Sequence, residues 1–149
     1  MVTEGSTAQE TAAPGVVVVT HGAMGVALVE AAEMILGPQE RCASVSVGMA
    51  NGVDQTVEAI KEAVGRVDAG GGALLLTDLF GGSPTTMSMS LYKAGNIEVV
   101  AGVSLPMLIK ALQGDGKPLE ALAAEVKQAG QQGIVVAGEV LGRRRGKGK

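Results

Sequence analysis

The stretch Val16 to Gly25 reads VVVVTHGAMG and holds the chain's single histidine, His21. Four consecutive β-branched residues predict a strand buried on both faces, and the glycines after it end the strand in a tight turn that opens a helical pattern. Ligands in open α/β sheets gather at the carboxyl ends of the strands, so an imidazole there is a candidate nucleophile or proton carrier. A histidine that caps a helix or satisfies a core hydrogen bond is the plainer alternative. A second apolar run, Ala73 to Thr77, ends in Asp78. If the two strands are neighbours, both residues overhang the crevice where a doubly wound sheet reverses direction. A carboxylate that accepts the proton of one ring nitrogen fixes the tautomer and leaves the other nitrogen free to attack. Asp78 as a cap of the turn after it competes with that role.

Gly81, Gly82, Ser83 and Pro84 follow directly. Two glycines let backbone amides approach an anion, the Ser83 hydroxyl can donate a hydrogen bond, and the start of a helix favours negative charge. Taken alone, GGSP is also ordinary loop-to-helix punctuation. Joined to His21 and Asp78, it suits phosphoryl transfer through a phosphohistidine.

The elements that must position these residues follow the same alternation. Met24 to Leu36 is nearly all apolar apart from Glu30 and Glu33, and predicts a helix that is largely buried, in the core or at a subunit contact, stopped by Gly37 and Pro38. Cys42 to Val47 alternates in the manner of a half-exposed strand at a sheet edge. Val53, Val57, Ile60, Val64 and Val67 recur at helical spacing, with Glu58, Lys61, Glu62 and Arg66 on the opposite face. Ser83 as N-cap and Pro84 as first helical residue predict a third helix to about Lys93; the Met87, Met89, Leu91 alternation would also fit a strand, but two parallel strands need a crossover of this length. Ile97 to Val103 reads as a strand, Pro106 to Leu112 and Leu119 to Gln128 as helices, and Ile134 to Ala137 as a last short strand. Together these give an α/β domain with a doubly wound, mostly parallel four-stranded sheet, helices on both faces and a short C-terminal strand.

Composition narrows the function. The 149 residues suffice for one domain with a core, and with aromatics at only 1% that core is built from Val, Leu, Ala, Ile and Met. One Tyr and one Phe cannot supply a stacking platform for nucleic acid. One Cys and one His cannot form an ordinary zinc site, and a lone Cys42, expected to be a passive buried thiol, suits a reducing compartment. No apolar run reaches the roughly 20 residues that cross a bilayer, and the N-terminus lacks the pattern of a signal peptide, so the expected location is cytoplasmic with no membrane insertion. Five of the twelve basic residues, Arg143 to Arg145, Lys147 and Lys149, fall in the last seven positions, which leaves seven basic against fifteen acidic residues before them. Residues 1–14, small and polar without an apolar period, are expected as a flexible leader, 15–140 as the domain and 141–149 as a basic flexible tail.

In these motifs, THG after the first strand, then AEMILG, TDLFGGSPT and VVAGVSLPML, the sequence resembles the enzyme IIA component of the mannose family of the bacterial sugar phosphotransferase system. The likeness covers about residues 15 to 137, in order and with similar spacing, and D-x-x-G-G-S-P is its most specific part. It implies a cytoplasmic phosphocarrier that takes phosphate from the histidine-containing phosphocarrier protein and hands it to an enzyme IIB, with no cofactor. His21 would carry the phosphate, Asp78 would orient the ring, and Gly81, Gly82 and Ser83 would bind the phosphate. It also implies a homodimer with the last strand exchanged between subunits. The sequence departs from the family at Ser104, where members commonly have asparagine before Leu-Pro-Met. The leader and tail lie outside the pattern, and the absence of a linker to a fused IIB leads one to expect a separate acceptor protein.

Three other readings use similar residues. A metal-inserting chelatase also places a histidine after its first strand, but needs further ligands that one histidine cannot provide. A regulatory protein of the same fold would use the same site to report nutrient state without sugar transport. The phosphoryl-donor subunit of dihydroxyacetone kinase is related in fold and carries a different loop where this chain has GGSP.

Overall fold

The computed structural model describes residues 12–92 and 96–146. The elements are β1 (Gly15–His21), α1 (Met24–Leu36), β2 (Cys42–Val47), α2 (Val53–Val67), β3 (Ala73–Thr77), α3 (Ser83–Met89), β4 (Ile97–Ala101), α4 (Leu105–Leu112), α5 (Leu119–Gln132) and α6 (Ala137–Gly146). The sheet is parallel throughout, in the order β2-β1-β3-β4. The chain therefore starts in the middle, adds β2 on one side, and crosses to the other side for β3, so the switch of direction lies between β1 and β3.

The valine run explains why β1 is central. Val16 and Val18 point into a core shared with Leu74, Leu76, Leu108, Leu122 and Val126 on the side of α1, α4 and α5. Val17 and Val19 point into the opposite core with Ile60, Ala63, Val67 and Leu75 beneath α2. All four valines are at most 1% exposed, as a strand covered on both faces requires. The alternating β2 lies at the edge, with Val45 and Val47 buried and Ser46 exposed.

Two helices depart from the sequence expectation, α2 at a single residue and α1 over most of its length. In α2 the inward residues are Thr56, Ile60, Ala63 and Val67, while Val53 is 61% exposed. Val57 and Val64 are partly buried against the same core, so of the five predicted positions only Val53 stands out in solvent. Helix α1 is not largely buried within the chain: only Gly25 and Ala32 are, and Met34 is 87% exposed. The helix rides close to the sheet on its small residues, since a Cβ at position 25 would stand 3.2 Å from Val18 Cγ1 and 3.1 Å from Thr20 Oγ1. Leu28 and Val29 pack partly buried against the core, while Met24, Val26, Met34 and Ile35 are turned outward.

The C-terminal strand expected at Ile134 to Ala137 does not form. Gly133 and Ile134 donate their N–H groups back to the end of α5, at Ala129 O and Gln131 O, and Ala137 already opens α6. Val135 and Val136, the two residues between, pair with no strand among the described residues. Helix α6 also gives regular structure to residues 141–146, where a flexible tail is expected; residues 1–11, 93 and 147–149 of the expected leader, third helix and tail lie outside the described residues. Helix α3 ends at Met89, and β4 ends at Ala101 because Gly102, with φ +89°, turns the chain away.

The two readings of α2 separate by mutation. Ile60→Ala, in the fully buried interior, is expected to cost about 2–5 kcal/mol, and Val53→Ala to stay within about 0.5 kcal/mol of wild type. Urea unfolding of the two variants measures both.

Candidate functional site

His21 is the last residue of β1 and Asp78 the first after β3, and the register Val19↔Thr77 places them side by side at the carboxyl end of the sheet. Strand β1 outruns β3 here. Its next N–H on the β3 side, that of His21, finds no strand carbonyl and instead donates to Asp78 Oδ2 at 2.9 Å. The same oxygen lies 2.9 Å from His21 Nδ1. On the other side Gly22 N–H donates to Val47 O at 3.1 Å, so the turn is tied to both neighbouring strands.

One carboxylate oxygen thus receives a backbone and a ring donor from the same residue. With Asp78 ionised, Nδ1 must carry a proton to complete the second bond, which leaves the lone pair on Nε2. Nε2 has no hydrogen-bond partner among the described residues. The imidazole is 55% exposed and the carboxylate 10%. Burial pushes the Asp78 carboxyl up, but the His21 backbone N–H, then the ring N–H and the ring's charge, outweigh it and hold the group below the ordinary aspartate value. The second oxygen, Oδ1, is buried without a partner among the described residues.

The loop after Asp78 folds back over the strand end. Gly82 N–H donates to Leu79 O at 3.1 Å, closing a turn in which Gly81 takes φ +90°. That conformation favours glycine at 81. At 82 the requirement is space, because a Cβ there would meet His21 Cε1 at 3.3 Å. Gly82, not Ser83, is the N-cap of α3, with its carbonyl taken by Thr86 N–H at 3.0 Å; Ser83 and Pro84 are the first two helical residues. The Ser83 side chain makes no capping bond and is exposed. The structure therefore brings all five expected residues, His21, Asp78, Gly81, Gly82 and Ser83, to one end of the sheet, and commits the Gly82 N–H to the turn.

Three threonines that the motifs did not single out hold this arrangement. Thr20 Oγ1 accepts the Gly25 N–H at 2.8 Å and anchors the start of α1 behind His21. Thr77 and Thr85 are buried and their hydroxyl oxygens are 2.6 Å apart, while Thr85 Oγ1 donates to Leu79 O at 2.7 Å. The available signal was positional: each apolar strand run ends in a threonine immediately before the polar residue of interest. Ser104 lies on the adjoining loop, since Val103 N–H donates to Thr77 O at 2.9 Å, and its buried hydroxyl has no partner among the described residues. Cys42 is remote from the site, and burial, then the nearby Glu33 charge, raise its thiol pKa to about 11, which makes it a poor nucleophile.

A family model described as EIIA-man, PTS system fructose IIA component, matches residues 15–129. The PTS system mannose-specific EIIAB component of Escherichia coli (strain K12) is 30% identical over 122 residues, 80% of this chain and 38% of that protein. The chain thus spans well under half the length of that relative. The PTS system fructose-specific EIIA component of Bacillus subtilis (strain 168) is 28% identical over 128 residues, 85% of this chain and 88% of that protein. Among solved structures, the mannose/sorbose specific IIA subunit of the phosphotransferase system from Enterococcus faecalis aligns with a TM-score of 0.75 and 27% identity, covering 83% of this chain and 93% of that one. With a parallel sheet, a histidine and aspartate at its switch point and a family match over most of its length, this chain belongs to the EIIA-man family of phosphotransferase-system IIA components.

Proposed function

We propose that the protein is a cytoplasmic phosphocarrier of sugar uptake, accepting a phosphoryl group on His21 from the histidine-containing phosphocarrier protein and passing it to an enzyme IIB. The observation that carries this reading is the 2.9 Å contact of Asp78 Oδ2 with Nδ1, which leaves Nε2 as the free nucleophile on a half-exposed ring. As Nε2 attacks phosphorus, the bond between phosphorus and the donor's ring nitrogen breaks and its electron pair stays with the donor. The His21 ring becomes a cation that keeps its Nδ1 proton and its bond to Asp78. Attack by the acceptor on phosphorus then returns the electron pair to Nε2.

The surroundings suit an anion delivered by another protein. Gly81 and Ser83 present N–H groups that no hydrogen bond among the described residues uses, the Ser83 hydroxyl is exposed, and Gly82 leaves room beside the ring. We assign Gly81, Gly82 and Ser83 to the phosphate on that ground. Met24, at the start of α1, and Met49, Leu79 and Phe80, on loops that follow strand ends, are exposed, Phe80 by 75%. Large apolar side chains left in solvent near the ring suit docking of a macromolecular partner.

A homodimer fits the other exposed apolar stretch. Ile134, Val135 and Val136 stand 81%, 63% and 58% exposed with no strand alongside, and β4 offers an unpaired sheet edge. A second copy that adds this segment to the β4 edge satisfies both.

Incubation with phosphoenolpyruvate and the general phosphodonor pair is expected to label one acid-labile site that His21→Ala abolishes; label surviving in that variant refutes the reading. Asp78→Asn is expected to slow labelling about 10- to 100-fold while the domain stays folded, with wild-type rates removing Asp78 from the mechanism. Light scattering is expected to give twice the chain mass for wild type and the single-chain mass for Val135→Asp.

The pairing also predicts a pH dependence. Because the folded carboxyl lies below the ordinary value of 3.8, its stabilisation is complete above that value and lost as pH falls through the folded one. The stability gap between wild type and Asp78→Asn in urea is expected to narrow on lowering the pH below 3.8.

A further inference from the structure

We infer that Thr85 is a positioning residue for the reaction: its buried hydroxyl, linked to Thr77 and to the Leu79 carbonyl, sets the orientation of Asp78 and through it the tautomer of His21. The inference rests on His21 being the phosphorylated residue.

The direction of the relay follows from proton counting. Thr85 Oγ1 has one proton, and it goes to Leu79 O at 2.7 Å. In the 2.6 Å contact between the two hydroxyls Thr77 must then be the donor and Thr85 the acceptor. The chain Thr77 to Thr85 to Leu79 therefore ties together the residue before Asp78 and the residue after it. Both threonines are at most 1% exposed, so no solvent competes for these bonds. Leu79 O is held a second time by Gly82 N–H at 3.1 Å, which extends the restraint to the glycine packed against His21 Cε1. Thr77 O is meanwhile fixed from the β4 side by Val103 N–H.

Asp78 needs such help. Its Oδ2 carries both bonds from His21, its Oδ1 has no partner among the described residues, and the side chains of Leu79 and Phe80 beside it are exposed. The apolar core does not grip this loop. The hydroxyl of Thr85, on the first turn of α3, supplies what packing does not, and a valine of the same shape would preserve the volume while removing both bonds.

The test uses the full-length protein and the fact that His21 is the only histidine, so one set of ring nitrogen-15 signals reports on it. Thr85→Val is expected to move those signals from an Nδ1–H pattern toward an average of both tautomers. It is also expected to lower the maximal rate of phosphoryl acceptance about 10-fold with little change in KM for the phosphodonor. Thr85→Ser, which keeps the relay, is expected to restore both readouts. Thr77→Val leaves the Thr85 to Leu79 bond in place, so it is expected to fall between wild type and Thr85→Val, and it serves if the latter does not fold. Wild-type ring signals and wild-type rate in Thr85→Val, or in Thr77→Val where that variant must be used, overturn the inference. Failure of His21 in the wild type to accept phosphate would instead overturn the phosphocarrier reading, while the ring signals still decide whether Thr85 positions Asp78.

Discussion

A single carboxylate oxygen, Asp78 Oδ2, holds the active end of this molecule together. It completes the hydrogen bonding of a strand that outruns its neighbour and, through the same residue, selects which imidazole nitrogen keeps its proton. A carboxylate in that place is disfavoured by loss of water and favoured by two converging donors, and the donors prevail. An amide oxygen could accept the backbone bond but would lack the charge that stabilises a ring cation. The backbone bond fixes the carboxylate, so the ring finds its acceptor already in position.

The order β2-β1-β3-β4 makes that meeting possible. Any topology that separated β1 from β3 would leave His21 and Asp78 a strand's width or more apart, about 5 Å for each intervening strand. The two-sided core exists to keep these strands adjacent and level: alternate residues of β1 and β3 go to opposite faces, each covered by helices. The site itself begins where the burial stops, one residue past the last buried threonine of each strand.

Much of this was legible because the signals were strong and local. A run of four valines allows few alternatives to a central strand, and the positions of His21 and Asp78 at the ends of two such runs follow from the runs themselves. The misread parts share a cause, which is that periodicity shows which residues are apolar and not how closely an element approaches its neighbour. Helix α1 faces the sheet with Gly25 and Ala32, so its methionines and isoleucine face outward. The segment Ile134 to Val136 has strand composition, yet Ile134 is drawn back to the end of α5 and the segment pairs with no strand among the described residues. Nothing in the sequence marks Thr85, because the partner of its hydroxyl lies eight residues back across a turn.

The exposed face and the hydroxyl relay are two sides of one requirement. Under the proposed function, a phosphoryl group passed between proteins needs a ring that a partner can reach, so the loop around it cannot be anchored by burying its large side chains, and Leu79 and Phe80 remain in solvent. A loop without apolar anchorage is ordinarily among the first parts of a fold to open. Short internal hydrogen bonds from buried threonines resolve the conflict, since they restrain the backbone from beneath and leave its outer surface free. The same reasoning accounts for glycine at 81 and 82: the first gives the turn its left-handed corner, and the second lets the loop pass against the imidazole without covering it.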